Sequence, residues 1–316
     1  MKGIIKLKSE PKIVLGTWAW GDNNSYFGNS YDQEHFRQVY AKAMQQKLNF
    51  WDTAYAYGHG ASEKILGNLM EETPREDLIL STKFTPNLAN ESENPVIAMF
   101  NGSLQRLKTN YIDYYWIHNN DDVEKFTPLV IPLLKSGKVK HLGVSNHNLA
   151  QIKRVQEILA QADLKLDAVQ NHLSLLDRTS ERNGILKYCK DNDIKFFSYM
   201  VLEQGALTGK YNVSHPFPSG SMRAKVYNPQ LGQLTDLLNE LKIISEKHQC
   251  SIAQIAMAWA INKGTLPIIG VTKVQQVEDA ARVVKIQLTQ DEMDSLESQA
   301  NVTQADTVGF WEQDLR

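Results

Sequence analysis

Cysteine is almost absent. Cys189 and Cys250 are the only two in 316 residues, and no Cys-x-x-Cys spacing joins them. They read as buried free thiols of a reducing cytoplasm rather than as a disulfide framework. Long basic blocks are missing as well, and the formal net charge is -2. Nucleic acid and anionic membrane surfaces both call for clustered Lys and Arg, so neither is an expected partner. No window approaches the ~18 uninterrupted apolar residues of a membrane span. The closest, residues 252–261, is broken by Gln254. The opening MKGIIKLKSEPKIVLG lacks the apolar core of a signal peptide, which points to a cytoplasmic protein. Finally, no G-x-G-x-x-G follows the first predicted strand, which removes the main argument for a Rossmann domain.

What is present is regular. Hydrophobic residues make up 42% and charged residues 22%, ordinary values for a globular chain. Residues 4–7 and 12–15 alternate around Ser9, Glu10 and Pro11 and predict a small N-terminal hairpin. Short apolar runs then begin at Val14, Leu48, Leu78, Tyr111, His141, Ala168, Ile194 and Leu266. Segments with helical spacing separate them: 34–47, a helix N-capped by Ser62, 96–107, 126–135, 149–162, 184–190, 234–248 and 252–262. Residues 275–284 and 290–299 follow as two more, and 203–229 is a long irregular loop after the seventh strand. Strict alternation of strand and helix implies a parallel sheet covered by helices. Eight such units favour an α/β fold of the (β/α)8 TIM-barrel type, as a single domain over 1–316.

The most informative stretch is LNFWDTAYAYGHG, residues 48–60, where an apolar run stops at Asp52 and a loop carries Tyr55 and Tyr57. Other strands end alike: Lys83, His118, Ser145 with Asn146, Gln170, Tyr199 and Gly270. Singly, each has a bland reading. Asp52 reads as a loop-ordering acid, Lys83 as a solvated strand end, His118 as a structural histidine, and Gln170 and Tyr199 as the last inward barrel positions. In a barrel, however, all strand C-termini meet at one face, where active sites lie. Burying Asp, Lys and His in one mouth is costly unless they pair. Pairing gives a chemistry. Lys83 beside Tyr57 is expected to lower the phenol's pKa from ~10, with Asp52 holding the lysine charged. Tyr57 then acts as general acid toward a carbonyl oxygen that His118 orients. No side chain supplies a hydride, so a nicotinamide cofactor is implied.

Asp52, Tyr57, Lys83 and His118, in this order at consecutive strand ends, resemble the catalytic tetrad of the aldo-keto reductases. DTAYAYG, GVSN, the Gln170 strand and GALTGKY fit the same family, and the likeness spans essentially the whole chain. The loop motifs are most similar to bacterial members related to the potassium-channel β subunits. The resemblance implies NADPH across the barrel mouth, with NADH possible, and hydride transfer to an aldehyde, ketone or sugar-like carbonyl. By position it assigns Gly16, Thr17 and Trp18 to the cofactor, Ser145, Asn146 and Gln170 to the nicotinamide carboxamide, and Tyr199 to the ring. Met200, Leu202, Gly205, Leu207, Lys210 and Arg223 belong to the loop expected over the pyrophosphate. Gly270, Thr272 and Lys273 are expected at the adenosine 2′-phosphate, with Gln276 and Asp279 beside the adenine. Many members have Arg where Thr272 stands, and Asn where this chain has Ala280.

The substrate pocket is expected from loops: Trp18, Trp20, Tyr26, Phe27, Tyr55, Asn119, Asn120 and the tail residues Phe310 and Trp311. A different class remains open, a nucleotide-sensing regulatory subunit like the channel β subunits, which carry Asn where this chain has His118. A metal-using sugar isomerase would need a carboxylate and histidine cluster at the rim. Asp52, His118 and Asp121 make a poor set beside Lys83, and no metal is expected. Oligomeric state is unreadable from the sequence.

Overall fold

Eight strands alternate with helices and close into a parallel barrel. The computed structural model describes residues 11–22, 26–28, 30–309, 312 and 315. The strands are β1 (Val14–Gly16), β2 (Phe50–Asp52), β3 (Ile79–Phe84), β4 (Ile112–Ile117), β5 (Val139–Ser145), β6 (Ala168–His172), β7 (Lys195–Tyr199) and β8 (Leu266–Gly270). Each pairs with its sequence neighbour, and β1 pairs with β8 to close the ring. The helices are α1 (Gln33–Gln45), α2 (Ala61–Leu69), α3 (Pro95–Leu107), α4 (Val123–Lys135), α5 (Leu149–Ala160), α6 (Thr179–Arg182) and α7 (Ile185–Asp191). After β7 come α8 (Met222–Tyr227), α9 (Thr235–Lys247), α10 (Ile252–Asn262), α11 (Val274–Val283) and α12 (Gln290–Thr303). Residues 4–7 of the expected hairpin, and Phe310 and Trp311, lie outside the described residues.

Strand parity sorts the residues into two layers. Phe50, Tyr114, Trp116, Ala168 and Phe197 face inward and form a cluster of their own with Val14. Their rings interlock: Trp116 meets Phe197 edge-on at 5.0 Å, and Phe50 stacks on Tyr114 at 5.4 Å. This aromatic plug closes the barrel below its mouth. Alternate residues such as Trp51, Leu80, Leu142 and Val169 point outward, into the larger core under the helices. Gly143 is required where the two layers crowd, since a Cβ there would lie 2.1 Å from the Trp116 ring.

Helix starts follow local chemistry. Asp32, Asn148, Ser251 and Thr289 each accept a backbone N–H at an N-cap, and the last three belong to capping boxes. Ser62 is not the N-cap of α2 as expected; Gly60 is, in a left-handed conformation. Ser62 is the second residue of the helix, where its hydroxyl meets Thr17 Oγ1 at 2.7 Å and ties α2 to the end of β1. Pro128 and Pro132 sit on the exposed face of α4, and the helix continues past both. Its buried side, Phe126, Thr127, Val130 and Leu133, holds it in place, and Glu124 and Pro128, whose carbonyls lose their helical partners, lie on the exposed side. The two cysteines are free; Cys189 is buried and Cys250 half-buried.

Candidate active site

Asp52, Lys83 and Ser81 share the inward parity of β2 and β3, and the register places Asp52 opposite Ser81. Lys83 is two residues further along and therefore on the same face. Its Nζ donates to Asp52 Oδ2 at 2.5 Å and to the Thr53 carbonyl at 2.8 Å. Asp52 Oδ1 accepts from Ser81 Oγ at 2.5 Å and from Gln170 Nε2 at 3.3 Å. Lysine and aspartate are 0% and 2% exposed. Burial pushes the ammonium pKa down, but Asp52 and then Tyr57 outweigh it, and the net direction is up. Lys83 is a charged lysine with its counter-charge beside it.

Tyr57 opens a tight turn, Tyr57–Gly60, in which Gly58, His59 and Gly60 all have positive φ. A Cβ on Gly60 would come within 2.7 Å of the Arg106 side chain, so this turn accepts only glycine there. Arg106 also lies over the Tyr55 ring, 4.8 Å from its centroid, and pairs with the buried Glu63 of α2. The turn thereby aims the Tyr57 ring over the barrel, with Lys83 Nζ 4.8 Å from its centroid. The expected depression of the phenol pKa is not what the site produces. Burial is the largest influence and raises it, Lys83 pulls it down, Asp52 raises it again, and the net lies above the usual value. The cost of charging a phenol partly withdrawn from water exceeds the attraction of one ammonium that is already paired.

His118 follows β4, with its ring edge-on to Tyr57 at 6.0 Å. Nδ1 contacts Thr85 Oγ1 at 3.0 Å, and the other ring nitrogen has no partner among the described residues. Burial, reinforced by Lys83, holds the imidazole pKa well below its ordinary value. His118 is neutral at neutral pH.

Around this centre the other expected residues fall into three groups. Ser145, Asn146, Gln170 and Tyr199 ring the same rim. Asn146 Nδ2 donates to the His118 carbonyl at 2.9 Å, and Tyr199 Oη reaches Asn146 Oδ1 at 2.5 Å. The Gln170 amide oxygen has no partner among the described residues, and Gly270 opens onto free space. An amide and hydroxyl set with unused capacity, next to a tyrosine face, suits a planar carboxamide-bearing ring. Trp18 stands over the mouth, 6.0 Å from Tyr57 and 5.0 Å from both Tyr26 and Phe27, while Asn119 Oδ1 lies 3.5 Å from Asn146 Nδ2. Lys210 and Lys273 are exposed cations on the β7 loop and ahead of α11.

A second group has its side chains committed elsewhere. Thr17 is buried, with Oγ1 donating to the Asp52 carbonyl at 3.1 Å, and Gly16 and Leu207 are buried too. Met200, Leu202 and Gly205 are half-buried in the β7 loop. Arg223, expected in the loop over the pyrophosphate, donates Nη2 to the Phe27 carbonyl at 2.9 Å and Nη1 to the Gln204 carbonyl at 3.3 Å. It clamps the β1 and β7 loops together. Gln276 Oε1 accepts from the Thr272 and Lys273 amides at 2.7 and 2.9 Å, capping α11, and Asp279 is half-buried one turn on.

The third group lies off the site. Trp20 is 0% exposed, stacks on Phe36 at 4.5 Å and donates Nε1 to the Val271 carbonyl at 2.7 Å. It belongs to the layer beneath the helices and is not a pocket wall. Conversely, His172, Glu203 and Glu312 form a buried ionic cluster behind Tyr199 that the sequence did not single out.

A parallel eight-stranded barrel whose mouth carries a buried Asp–Lys pair beside a tyrosine and a neutral histidine is the architecture of an oxidoreductase barrel. The model of the aldo/keto reductase family matches residues 12–301, and the chain belongs to this family. It is similar to the NADH-specific methylglyoxal reductase of Escherichia coli K12, 31% identical over 307 residues, with 88% of this chain and 91% of the relative covered. Similarity to the chloroplastic pyridoxal reductase of Arabidopsis thaliana is 29% over 313 residues, covering 92% and 85%. Among solved structures, the glycerol dehydrogenase of Gluconobacter oxydans superposes with a TM-score of 0.81 at 26% identity, covering 95% of this chain and 94% of that one. Among the described residues, no helix is long and apolar enough to cross a membrane.

Proposed function

We propose that this chain is an NADPH-dependent carbonyl reductase of the cytoplasm, acting as a single domain on aldehydes, ketones or sugar-like carbonyls, with Tyr57 as general acid. The observation that carries this reading is the Lys83–Asp52 pair, buried and 2.5 Å apart, with Lys83 Nζ 4.8 Å from the centre of the Tyr57 ring. The nicotinamide cofactor supplies the hydride. Ser145, Asn146 and Gln170 hold its carboxamide, Tyr199 backs its ring, and Lys210 and Lys273 answer its phosphates. Tyr57 donates its proton to the carbonyl oxygen as negative charge develops there, so each turnover takes up one hydride and one proton. A phenol with a raised pKa is still a stronger acid than the alcohol formed when it protonates the developing alkoxide. Lys83 steadies the phenolate left behind, and Asp52 fixes the ammonium. Neutral His118 offers its unpartnered ring nitrogen to the substrate oxygen without adding a second positive charge. Trp18, Tyr26, Phe27 and Tyr55 supply an apolar wall that suits aromatic or short-chain carbonyls.

Relatives named for methylglyoxal and pyridoxal, both aldehydes, support this substrate class. The first is NADH-specific by name, so NADH is the cofactor to compare against NADPH. The test is loss of NADPH absorbance with 4-nitrobenzaldehyde, methylglyoxal and pyridoxal as a panel. Turnover with any of them supports the reductase. Tight cofactor binding with no turnover on the panel overturns it in favour of a nucleotide-sensing role.

A further inference from the structure

Behind the turn that carries Tyr57 lies a second ion pair, which the proposed chemistry leaves unused. Glu63, in the first turn of α2, is 0% exposed, and Arg106, near the end of α3, is 27% exposed. Arg106 Nε donates to Glu63 Oε2 at 2.6 Å, and Glu63 Oε1 accepts from Thr82 Oγ1 at 2.6 Å. Thr82 is the neighbour of Lys83 in β3 and points to the opposite face of the strand. Glu63 thereby grips from outside the strand that carries Lys83 on its inner face. The two helices are packed for this contact. A Cβ on Gly67 would lie 2.1 Å from the Arg106 carbonyl oxygen, and one on Gly102 would lie 3.0 Å from Arg106 Nη1.

Arg106 holds the loop after β2 at both ends. Its guanidinium lies 4.8 Å from the centre of the Tyr55 ring, and its Cδ and Nε fill the space against Gly60. Tyr57 lies between these two contacts. So does His59, whose φ of 50° is left-handed without the freedom of glycine. Such a conformation persists only where the surroundings over-determine it. Ser62 adds an anchor, its Oγ 2.9 Å from the Thr17 carbonyl oxygen and 3.0 Å from Thr53 Oγ1. The Thr53 carbonyl in turn accepts from Lys83 Nζ. Two routes therefore join Lys83 to the Tyr57 turn, one through Thr82, Glu63 and Arg106, the other through Thr53 and Ser62.

We infer that Glu63 and Arg106 are positioning residues for Tyr57, holding the turn that carries the phenol in a fixed place relative to Lys83. This rests on the reading of Tyr57 as general acid. Neither residue belongs to the set proposed to hold the cofactor; both act through Tyr57. Misplacing a reacting group by about 1 Å costs up to about 10²-fold in rate, which is the scale on which such a brace works.

The test is a double-mutant cycle on the full chain. It is read as the single-turnover rate of NADPH oxidation with the fastest of 4-nitrobenzaldehyde, methylglyoxal and pyridoxal at saturation. Arg106→Ala should slow that step by about ten- to hundredfold, while the dissociation constant for NADPH stays within about twofold. Placed on Tyr57→Phe, the same change should cost less than about twofold, because the acid it positions is gone. Arg106→Lys keeps a cation beside Glu63 and should recover part of the rate. Removing Arg106 leaves a buried carboxyl group without its partner and endangers the fold. Glu63→Gln keeps the shape, should slow the same step only when Tyr57 is present, and carries the test if Arg106→Ala does not fold. Equal losses with and without Tyr57, as a general loss of packing predicts, overturn the positioning role and leave Tyr57 as the acid. So does an unchanged rate in the variant that folds. Tyr57→Phe as fast as wild type, or wild-type protein without turnover on all three aldehydes, overturns the reading beneath it as well.

Discussion

Lys83 Nζ and Asp52 Oδ2 lie 2.5 Å apart on neighbouring strands, above an aromatic plug and out of reach of solvent. A buried pair of this kind contributes little net stability while whole, yet breaking it strands a charge. Asp52→Asn should therefore cost about 3 kcal/mol in chemical denaturation. Lys83→Met placed on that background should recover part of the loss. An Asp52→Asn variant with wild-type stability means that Lys83 finds another counter-charge.

Tyr57→Phe removes the proposed proton donor and leaves the ring over the barrel. Turnover should fall by about 10²–10⁴. Cofactor affinity, read by fluorescence titration, should stay within about twofold, because the phenol contacts no residue of the amide set. A variant retaining wild-type kcat removes Tyr57 from the mechanism.

The pH profile follows from the two shifts at the mouth. Reduction needs the phenol protonated, and burial raises its pKa above the ordinary value despite Lys83. The rate should hold up to about pH 10 and decline only beyond it, as the proton is lost. His118 is held well below its ordinary pKa, so it adds no limb between about pH 6 and 8. A reduction rate that halves near pH 7 would falsify this assignment of charges.

Cofactor choice can be tested at Lys273. Lys273 is exposed, and in the proposed cofactor site it gives the 2′-phosphate an ion pair of about 1 kcal/mol. Lys273→Ala should weaken NADPH by roughly fivefold and leave NADH almost unchanged. Equal losses for the two place the 2′-phosphate away from Lys273.

Below the mouth, Gly143 leaves the space that Trp116 fills. Gly143→Ala should destabilise the barrel by about 1–3 kcal/mol through overpacking, seen as a lower denaturation midpoint. Trp116→Phe in the same chain should relieve part of it.

Strand ends were the legible part of this sequence. Asp52, Lys83 and His118 each close an apolar run, and in a parallel barrel that alone brings them to one face. Trp20 was misplaced because a loop aromatic carries no sign of which layer it enters; only its contacts with Phe36 and Trp51 show the outer core. Ser62 had the residue type of a cap, but Gly60 meets the φ that the turn demands. The phenol pKa went the other way because proximity to Lys83 is visible in strand order, whereas the depth of burial is not. His172 is itself a strand-end residue. Its partners come from an irregular loop and from the tail, so no spacing marks the three as a set.

Register has a consequence for how such an enzyme diversifies. Asp52 and Lys83 are locked in opposing strands, where a one-residue slip would turn Thr82 and Phe84 inward in place of Ser81 and Lys83. Most of the aromatic wall, Trp18, Tyr26 and Phe27, hangs by contrast on the loop after β1. Insertions or exchanges in that loop can reshape what is accepted without moving Tyr57, the proposed proton donor, or its support. Grafting the β1 loop between related barrels should therefore transfer substrate range while leaving the underlying chemistry in place.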